Sequence, residues 1–482
     1  MYDVIVIGAG IIGAAVSREL SKFKLNILLI DKASDIATGA TKANSGIIHA
    51  GYDAKIGTNK AKFNVLGNFM YENICKELEV PFKRIGSLVI GFNEKDKIIL
   101  KELYENGKKL AIPGLEIINS DRIKELEPNL NENIVSGLYA PTAGIVEPWE
   151  LAIAYVENAM DNGLNLKLET KVLNINQIES YYEIKTNRGI YNSKFVINCA
   201  GIYADKVYEM LTQDSKFKIV PRRGQYYLLD HSEKDLVNHV IFQCPSELGK
   251  GVLIAPTIDE NIIIGPDAEN LNEDSRELTN TTIDGLEFIK ETAYKTCKKI
   301  SFNKSITNFA GLRAEATNGD FIIEESKEFK HFINCAGIKS PGLSSAPAIA
   351  DYIANMIKNL DSSIEMKSKF NFKRKARIKF NKLSSVEKSE LIKEDPNYGR
   401  IICRCEMITE GEILDAIHRN AGGKTINGIK RRVRPGAGRC QGGFCGPKVM
   451  KILARELDIS ILEIKQENEG SKILVKETKE IK

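Results

Sequence analysis

Gly8-Ala9-Gly10-Ile11-Ile12-Gly13 stands between an apolar run, DVIVI at 3–7, and a segment at 11–23 that reads as a helix. Glycines at this spacing carry meaning only with a strand before them and a helix after them. Both are predicted here. Gly8 permits a tight turn, Gly10 lets backbone approach a pyrophosphate, and Gly13 lets helix and strand pack closely. The helix N-terminus then offers unpaired N–H groups and partial positive charge to phosphate. A second strand, NILLI at 26–30, ends at Asp31, where a carboxylate can hold ribose hydroxyls. The chain therefore opens as an α/β, Rossmann-type βαβ unit. The glycines alone leave FAD and NAD both open.

The 482 residues exceed one ordinary core and predict roughly two to four domains. No run of eighteen apolar residues occurs, so no membrane-spanning helix is expected. The first residues are already strand and turn, without a basic leader, and export is not expected. A net charge of +4 is too small to give reason to expect nucleic acid. An amphipathic helix is predicted at 151–162 and another helix at 280–300, with strands over 166–189, 220–229 and 252–265. FVINCAG at 195–201 is echoed by HFINCAG at 331–337, which reads as two strands bringing glycine turns to one sheet edge. Residues 364–382 carry eight lysines and arginines and read as a basic linker or an arm wrapped on a surface; the tail after 466 is expected to fray.

Nine cysteines fall into two groups. Cys75, Cys199, Cys244, Cys297 and Cys335 are scattered beside apolar residues and read as small buried hydrophobes. Cys403, Cys405, Cys440 and Cys445 cluster late in the chain, and reduced thiols so grouped point to a metal site. Their spacing suits a 2Fe-2S cluster or a tetrahedral zinc.

Beyond Asp31 the segment GATKANSGIIHAG at 39–51 resembles the FAD-dependent oxidoreductases of the D-amino-acid-oxidase superfamily, and NSGIIHAG is similar to their glycerol-3-phosphate and L-2-hydroxyglutarate dehydrogenase branch. PRRGQYY at 221–227, GKGVLIAPT at 249–257, FAGLRA at 309–314 and NCAGIKSPGLSSAPAIA at 334–350 extend the resemblance over roughly residues 1–360. It implies FAD as cofactor, lined by Thr41, Lys42, Ser45 and Gly46 besides Gly8, Gly10, Gly13 and Asp31. Val172 would offer backbone bonds to adenine, and Gly337, Gly342 and Leu343 would approach the flavin ring. ICRCEMITEGEI at 402–413 with GRCQGGFCGP at 438–447 resembles the cluster domain of bacterioferritin-associated ferredoxin, although the second cysteine pair of that family is often closer together. This domain is also found on anaerobic-type glycerol-3-phosphate dehydrogenases, which implies a 2Fe-2S cluster and electron delivery to a protein partner.

Together these imply a discontinuous FAD domain (1–80, 140–215 and 310–360) interleaved with an α+β substrate domain (81–139 and 216–309). A basic linker (361–399), a small helical iron–sulfur domain (400–465) and a tail (466–482) would follow. The resemblance makes His49 the base that takes a hydroxyl proton, a task suited to a group titrating near neutrality. Arg313 and Lys250 would clamp a small anionic alcohol. The expected reaction is oxidation of glycerol 3-phosphate to dihydroxyacetone phosphate, its nearest rival oxidation of L-2-hydroxyglutarate or another 2-hydroxy acid. A non-catalytic electron-transfer subunit is the alternative of another class. A cytoplasmic enzyme is expected, with membrane association only peripheral and through a partner.

Overall fold

A computed structural model describes residues 1–212, 216–245 and 251–479. Strands Phe332–Ala336, Gly189–Asn198, Tyr2–Ile7, Ile27–Ile30 and Asn165–Lys167 lie side by side in that order, all parallel. Val4, Val6, Leu28 and Leu29 are buried, and the strands read as unbroken apolar runs because the sheet is covered on both faces. Strands Val172–Ile178 and Tyr181–Thr186 add an antiparallel edge. The two NCAG segments are direct neighbours: Val196, Ile197 and Asn198 pair with Phe332, Ile333 and Asn334. The Asn198 amide donates to Asn334 Oδ1 at 3.0 Å, satisfying two buried polar side chains at the carboxyl edge.

Helices Ile11–Leu20, Asn59–Glu77, Pro148–Asp161 and Gly342–Leu360 share one apolar core with this sheet. Pro148–Asp161 departs from the amphipathic expectation, being buried nearly all round. Its polar side is covered by later chain: Glu157 pairs with Arg374 and Arg419, and Asn158 donates to the carbonyls of Asn371 and Lys373.

Among the described residues the second sheet has nine strands. Ile219–Leu229 and Ser305–Ala316 run antiparallel through it, from Ile219 opposite Ala316 to Leu229 opposite Ser305. Tyr226 and Phe309, facing each other in this register, stack with centroids 5.0 Å apart. The predicted helix at 280–300 forms over Ile283–Thr296.

Residues 361–383 wrap the first domain, with Arg374 buried, and lead to helix Ser385–Glu394, started by a Ser384/Glu387 capping box. The C-terminal module has its own apolar core, built by the short strands Ile401–Cys403 and Ile408–Thr409 and helices Glu410–His418, Ile426–Val433 and Gly446–Leu457. The tail does not fray from 466. Glu467 bridges Lys42 (2.8 Å) and Arg431, and Asn468 accepts from Ser34 N (3.1 Å). Two partly desolvated cations hold that carboxylate in place.

Candidate active site and iron–sulfur centre

The nucleotide loop is built as its glycines require. A Cβ on Gly13 would lie 1.9 Å from the Gly8 carbonyl oxygen, and Gly8, at φ +108°, presses on the Cys199 carbonyl. A Cβ on Gly10 would meet only Thr41 Oγ1, at 3.3 Å, so the space beyond Gly10 is open for a phosphate. Helix Ile11–Leu20 starts without a side-chain cap from Gly10 and without an acid in its first turn; the Ile11 N–H donates to Thr41 Oγ1 at 3.0 Å. That N-terminus suits an anion. Asp31 accepts from Ala9 N (2.7 Å) and Ala33 N (2.8 Å) and keeps lone pairs for ribose hydroxyls. Burial raises its carboxyl above the ordinary range, and the same N–H bonds oppose that rise. These residues fit the dinucleotide end of FAD.

The other expected lining residues fall around this loop. Lys42 is turned to Glu467 of the tail. Gly46, at φ +67°, receives the Val146 N–H at 2.9 Å. Val172 stands where the edge ladder begins, two residues past Thr170, whose N–H donates to the Asp31 carbonyl. Gly337 (φ +67°) ends the second NCAG strand, and Gly342 and Leu343 open helix Gly342–Leu360, whose N-terminus also lacks a side-chain cap and a first-turn acid.

His49 lies against that second helix end. Its N–H donates to Ser344 Oγ (2.8 Å), Nε2 is 3.2 Å from Ser340 Oγ, and the ring stacks on Phe242 with centroids 5.7 Å apart. The Asn64 and Asn68 amides hold its carbonyl.

Arg313 comes from the long strand pair. Gly311, two residues earlier on the same face, packs so tightly on Ala43 that a Cβ would lie 2.2 Å from its carbonyl oxygen. Arg313 thus shares the face that meets the FAD loop. Its guanidinium lies over Gly224 and donates to the Asp267 carbonyl (2.7 Å). Arg222 stands directly opposite Arg313, a like-charge pairing unfavourable across an antiparallel ladder unless an anion offsets it. Glu315 does so in part, pairing with Lys339 and lying 3.6 Å from Arg222. Burial lowers the Lys339 ammonium pKa, with Arg222 and Arg313 adding to the fall. The Lys339–Ser340 dipeptide therefore joins the cationic face to His49. Arg223 points the other way, is itself buried, pairs with the partly exposed Glu269, and serves the fold. Lys250 lies outside the described residues. Ser340, Phe242 and Lys339 were not among the expected site residues; Arg222 or Arg223 was a weaker candidate cation, and the like-charge register that singles out Arg222 could have been found only from the strand pairing.

The four clustered cysteines form two pairs. Cys405 and Cys440 sulfurs are 3.7 Å apart, the spacing of two thiolates on one tetrahedral metal at about 2.3 Å. Cys403 and Cys445 share a hydrogen bond that pulls the Cys403 thiol down to about 6. Among the described residues no three Cys, His, Asp or Glu side chains converge as ligands of one ion. Paired thiols of this kind fit a binuclear cluster better than a single zinc. Four of the scattered cysteines are buried, as expected, and Cys244 is half-buried.

The module is docked on both other domains. Asp35, just past the nucleotide strand, receives Arg431 (2.8 Å) and both terminal nitrogens of Arg432 (2.8 Å each). Burial opposes its ionisation, yet the two guanidiniums hold its carboxyl at about 2. Arg434 binds Glu406, next to Cys405, at 2.7 Å and Asp259 of the second sheet's domain at 2.6 Å.

A nucleotide site at the sheet's carboxyl edge and a paired-thiol site in a docked module define the class: a flavoprotein oxidoreductase with its own iron–sulfur domain. The chain belongs to the family described as FAD dependent oxidoreductase, which matches residues 3–356, and a BFD-like 2Fe-2S binding domain matches residues 401–455. Its cofactors are FAD and a 2Fe-2S cluster. It is 53% identical to a glycerol 3-phosphate dehydrogenase of Caloramator mitchellensis, over 99% of each chain. It is 27% identical to the L-2-hydroxyglutarate dehydrogenase of Escherichia coli, over 75% of this chain and 94% of that one. Dithionite-reduced L-alpha-glycerophosphate oxidase of Mycoplasma pneumoniae, solved with FAD bound, superposes with a TM-score of 0.73 at 30% identity, over 77% of this chain and 98% of that one. Among the described residues no helix is long and apolar enough to cross a membrane.

Proposed function

We propose that the enzyme oxidises the CH–OH group of glycerol 3-phosphate to give dihydroxyacetone phosphate, and that electrons leave through the iron–sulfur module to a protein acceptor. The reading is carried by His49 standing at an uncapped helix end, joined through Ser340–Lys339 to the Arg222/Arg313 face. Arg313, with Arg222 beside it and Lys250 as the expected third cation, holds the phosphate dianion. His49 Nε2 takes the hydroxyl proton, with Ser340 Oγ fixing the ring's orientation. FAD supplies the acceptor for the hydride that leaves the same carbon. Phe242 keeps one face of the imidazole away from water. The full-length match to a glycerol 3-phosphate dehydrogenase favours phosphate over carboxylate as the anion.

The relay half is supported by contiguity. Gly46 of the FAD loop bonds to Val146, and the next residue, Glu147, lies buried within the charge fields of Arg434 and Asp259. Arg434 then binds Glu406 beside Cys405. The glycerophosphate oxidase is matched over nearly its whole length by a share of this chain that leaves over a portion the size of the module and its approach. Oxidation of a 2-hydroxy acid is the second reading, favoured by the L-2-hydroxyglutarate relative.

Anaerobic bleaching of the flavin separates them. Glycerol 3-phosphate should bleach it and L-2-hydroxyglutarate should not; the reverse result transfers the enzyme to the second reading. His49→Ala should keep FAD and slow bleaching by roughly 100-fold or more. Bleaching at the wild-type rate would remove His49 from the mechanism.

A further inference from the structure

We propose that the face formed by Cys405, Cys440, Met407 and Phe444 is the docking surface for an acidic one-electron acceptor protein; the proposal rests on the relay reading above. The two thiol pairs are unequally placed. Cys403 and Cys445 are 1% and 2% exposed inside the module core, whereas Cys405 is exposed and Cys440 half-buried. One end of the paired-thiol site therefore opens on the surface. Beside it Phe444, directly before Cys445, is 83% exposed, and Met407, two residues past Cys405, is 48% exposed. Leaving such side chains in water is unfavourable, so two of them flanking the open thiols mark a face that a partner covers. Aromatic residues and methionine are enriched at such interfaces.

Charge defines the partner. Over residues 401–407 and 434–451 the outward cations are Arg404, Arg439, Lys448 and Lys451. The single carboxylate in these stretches, Glu406, is buried and committed to Arg434 and His231. Arg439 reaches Asp230 while its side chain stays 73% exposed. An apolar centre with a cationic rim fits a protein presenting an apolar spot ringed by carboxylates, and such fields speed encounter by about 10- to 1,000-fold. The cluster these cysteines would hold would supply one electron at each encounter, which the acceptor would gain with no bond made or broken.

The test bypasses the substrate. Full-length protein is reduced with dithionite, freed of excess reductant, and mixed with an oxidised acidic flavodoxin as probe or, separately, with a small neutral quinone dye. Two variants are compared with the parent, Phe444→Ser and the double change Lys448→Glu with Lys451→Glu, after confirming unchanged iron and FAD content. The charge reversal should slow probe reduction by about 10-fold or more, and added salt should slow the parent likewise, while dye reduction changes less than about two-fold. Equal probe rates in parent and both variants overturn the proposal. So does equal slowing of probe and dye, which places the defect in the cluster. Loss of sedimentation with anionic phospholipid vesicles, at an unchanged probe rate, also overturns it and assigns the face to a lipid surface. If the Phe444→Ser protein fails to load iron, the charge reversal alone decides. Failure of glycerol 3-phosphate to reduce the cluster, read by its paramagnetic signal, would sink the relay reading while leaving the docking result to stand by itself.

Discussion

Two residues show how far single positions control the chemistry. Gly224 leaves the space that the Arg313 guanidinium fills, and an added methyl would lie 2.1 Å from its terminal nitrogen. Gly224→Ala should therefore leave folding and FAD content intact, because the severe clash is with the far end of a flexible side chain, while Pro266 Cβ, at 3.0 Å, need give only slightly. It should raise KM for glycerol 3-phosphate by roughly ten-fold, the loss of about one charge-assisted hydrogen bond. An unchanged KM would separate Arg313 from the anion. Asp35 makes the second case. Its carboxyl is held at about 2 against an ordinary 3.8, so its ionic contacts contribute fully above about pH 4 and are lost as pH falls through the folded value. The linked stabilisation is about 2 kcal/mol. Limited proteolysis across this range should show the module protected at pH 5 and released near pH 2, and Asp35→Asn should release it at pH 5 as well.

At the scale of elements, helix Ile426–Val433 and the tail behind it act together. The helix presents Arg431 and Arg432 to Asp35, and Glu467 closes the same cluster over Lys42. A chain ending at Gln466 leaves Arg431 and Lys42 without that carboxylate, next to the loop expected to line FAD. We predict flavin release several-fold faster than from the full chain, followed by the fluorescence of freed flavin; equal release would confine the tail's role to the module. Little of this arrangement was legible beforehand. The tail's charged composition argued for fraying, since local sequence does not reveal a partner contributed by residues 42 and 431. The helix at 148–161 misled for the same reason: its polar face is polar because it meets arginines of the later chain, not water.

The whole molecule is three interlocked parts rather than a flavoprotein with a distant appendage. The module keeps an apolar core of its own, and Arg431, Arg432 and Arg419, not Cys440, bind Asp35 and Glu157. Cys440→Ser should consequently leave FAD bound and bleachable by substrate, while turnover with a protein acceptor collapses and a dye that draws electrons from flavin still supports it. Deleting residues 400–482 is a different perturbation. It strips Asp35 of both its guanidiniums and leaves Glu157 with Arg374 alone. Flavin should then be retained poorly, as its absorbance after gel filtration will show. Equal retention in both variants would mean that the docked charges do not support the nucleotide loop.

The sequence by itself determined the βαβ start from Gly8 to Asp31, the two NCAG strands at one sheet edge and the four-cysteine site, because each rests on short-range rules. A turn needs glycine, a buried parallel strand needs continuous apolar residues, and a cluster needs thiols. The tertiary structure alone decided that Arg222 faces Arg313, that Ser340 reaches His49, and that Asp35 clamps the module to the nucleotide domain. Those facts depend on strand register and on ion pairs between residues some 400 positions apart in the chain, as Asp35 and Arg432 are. Nothing in the local pattern of either partner records such a pairing; it exists only once folding has removed both charges from water.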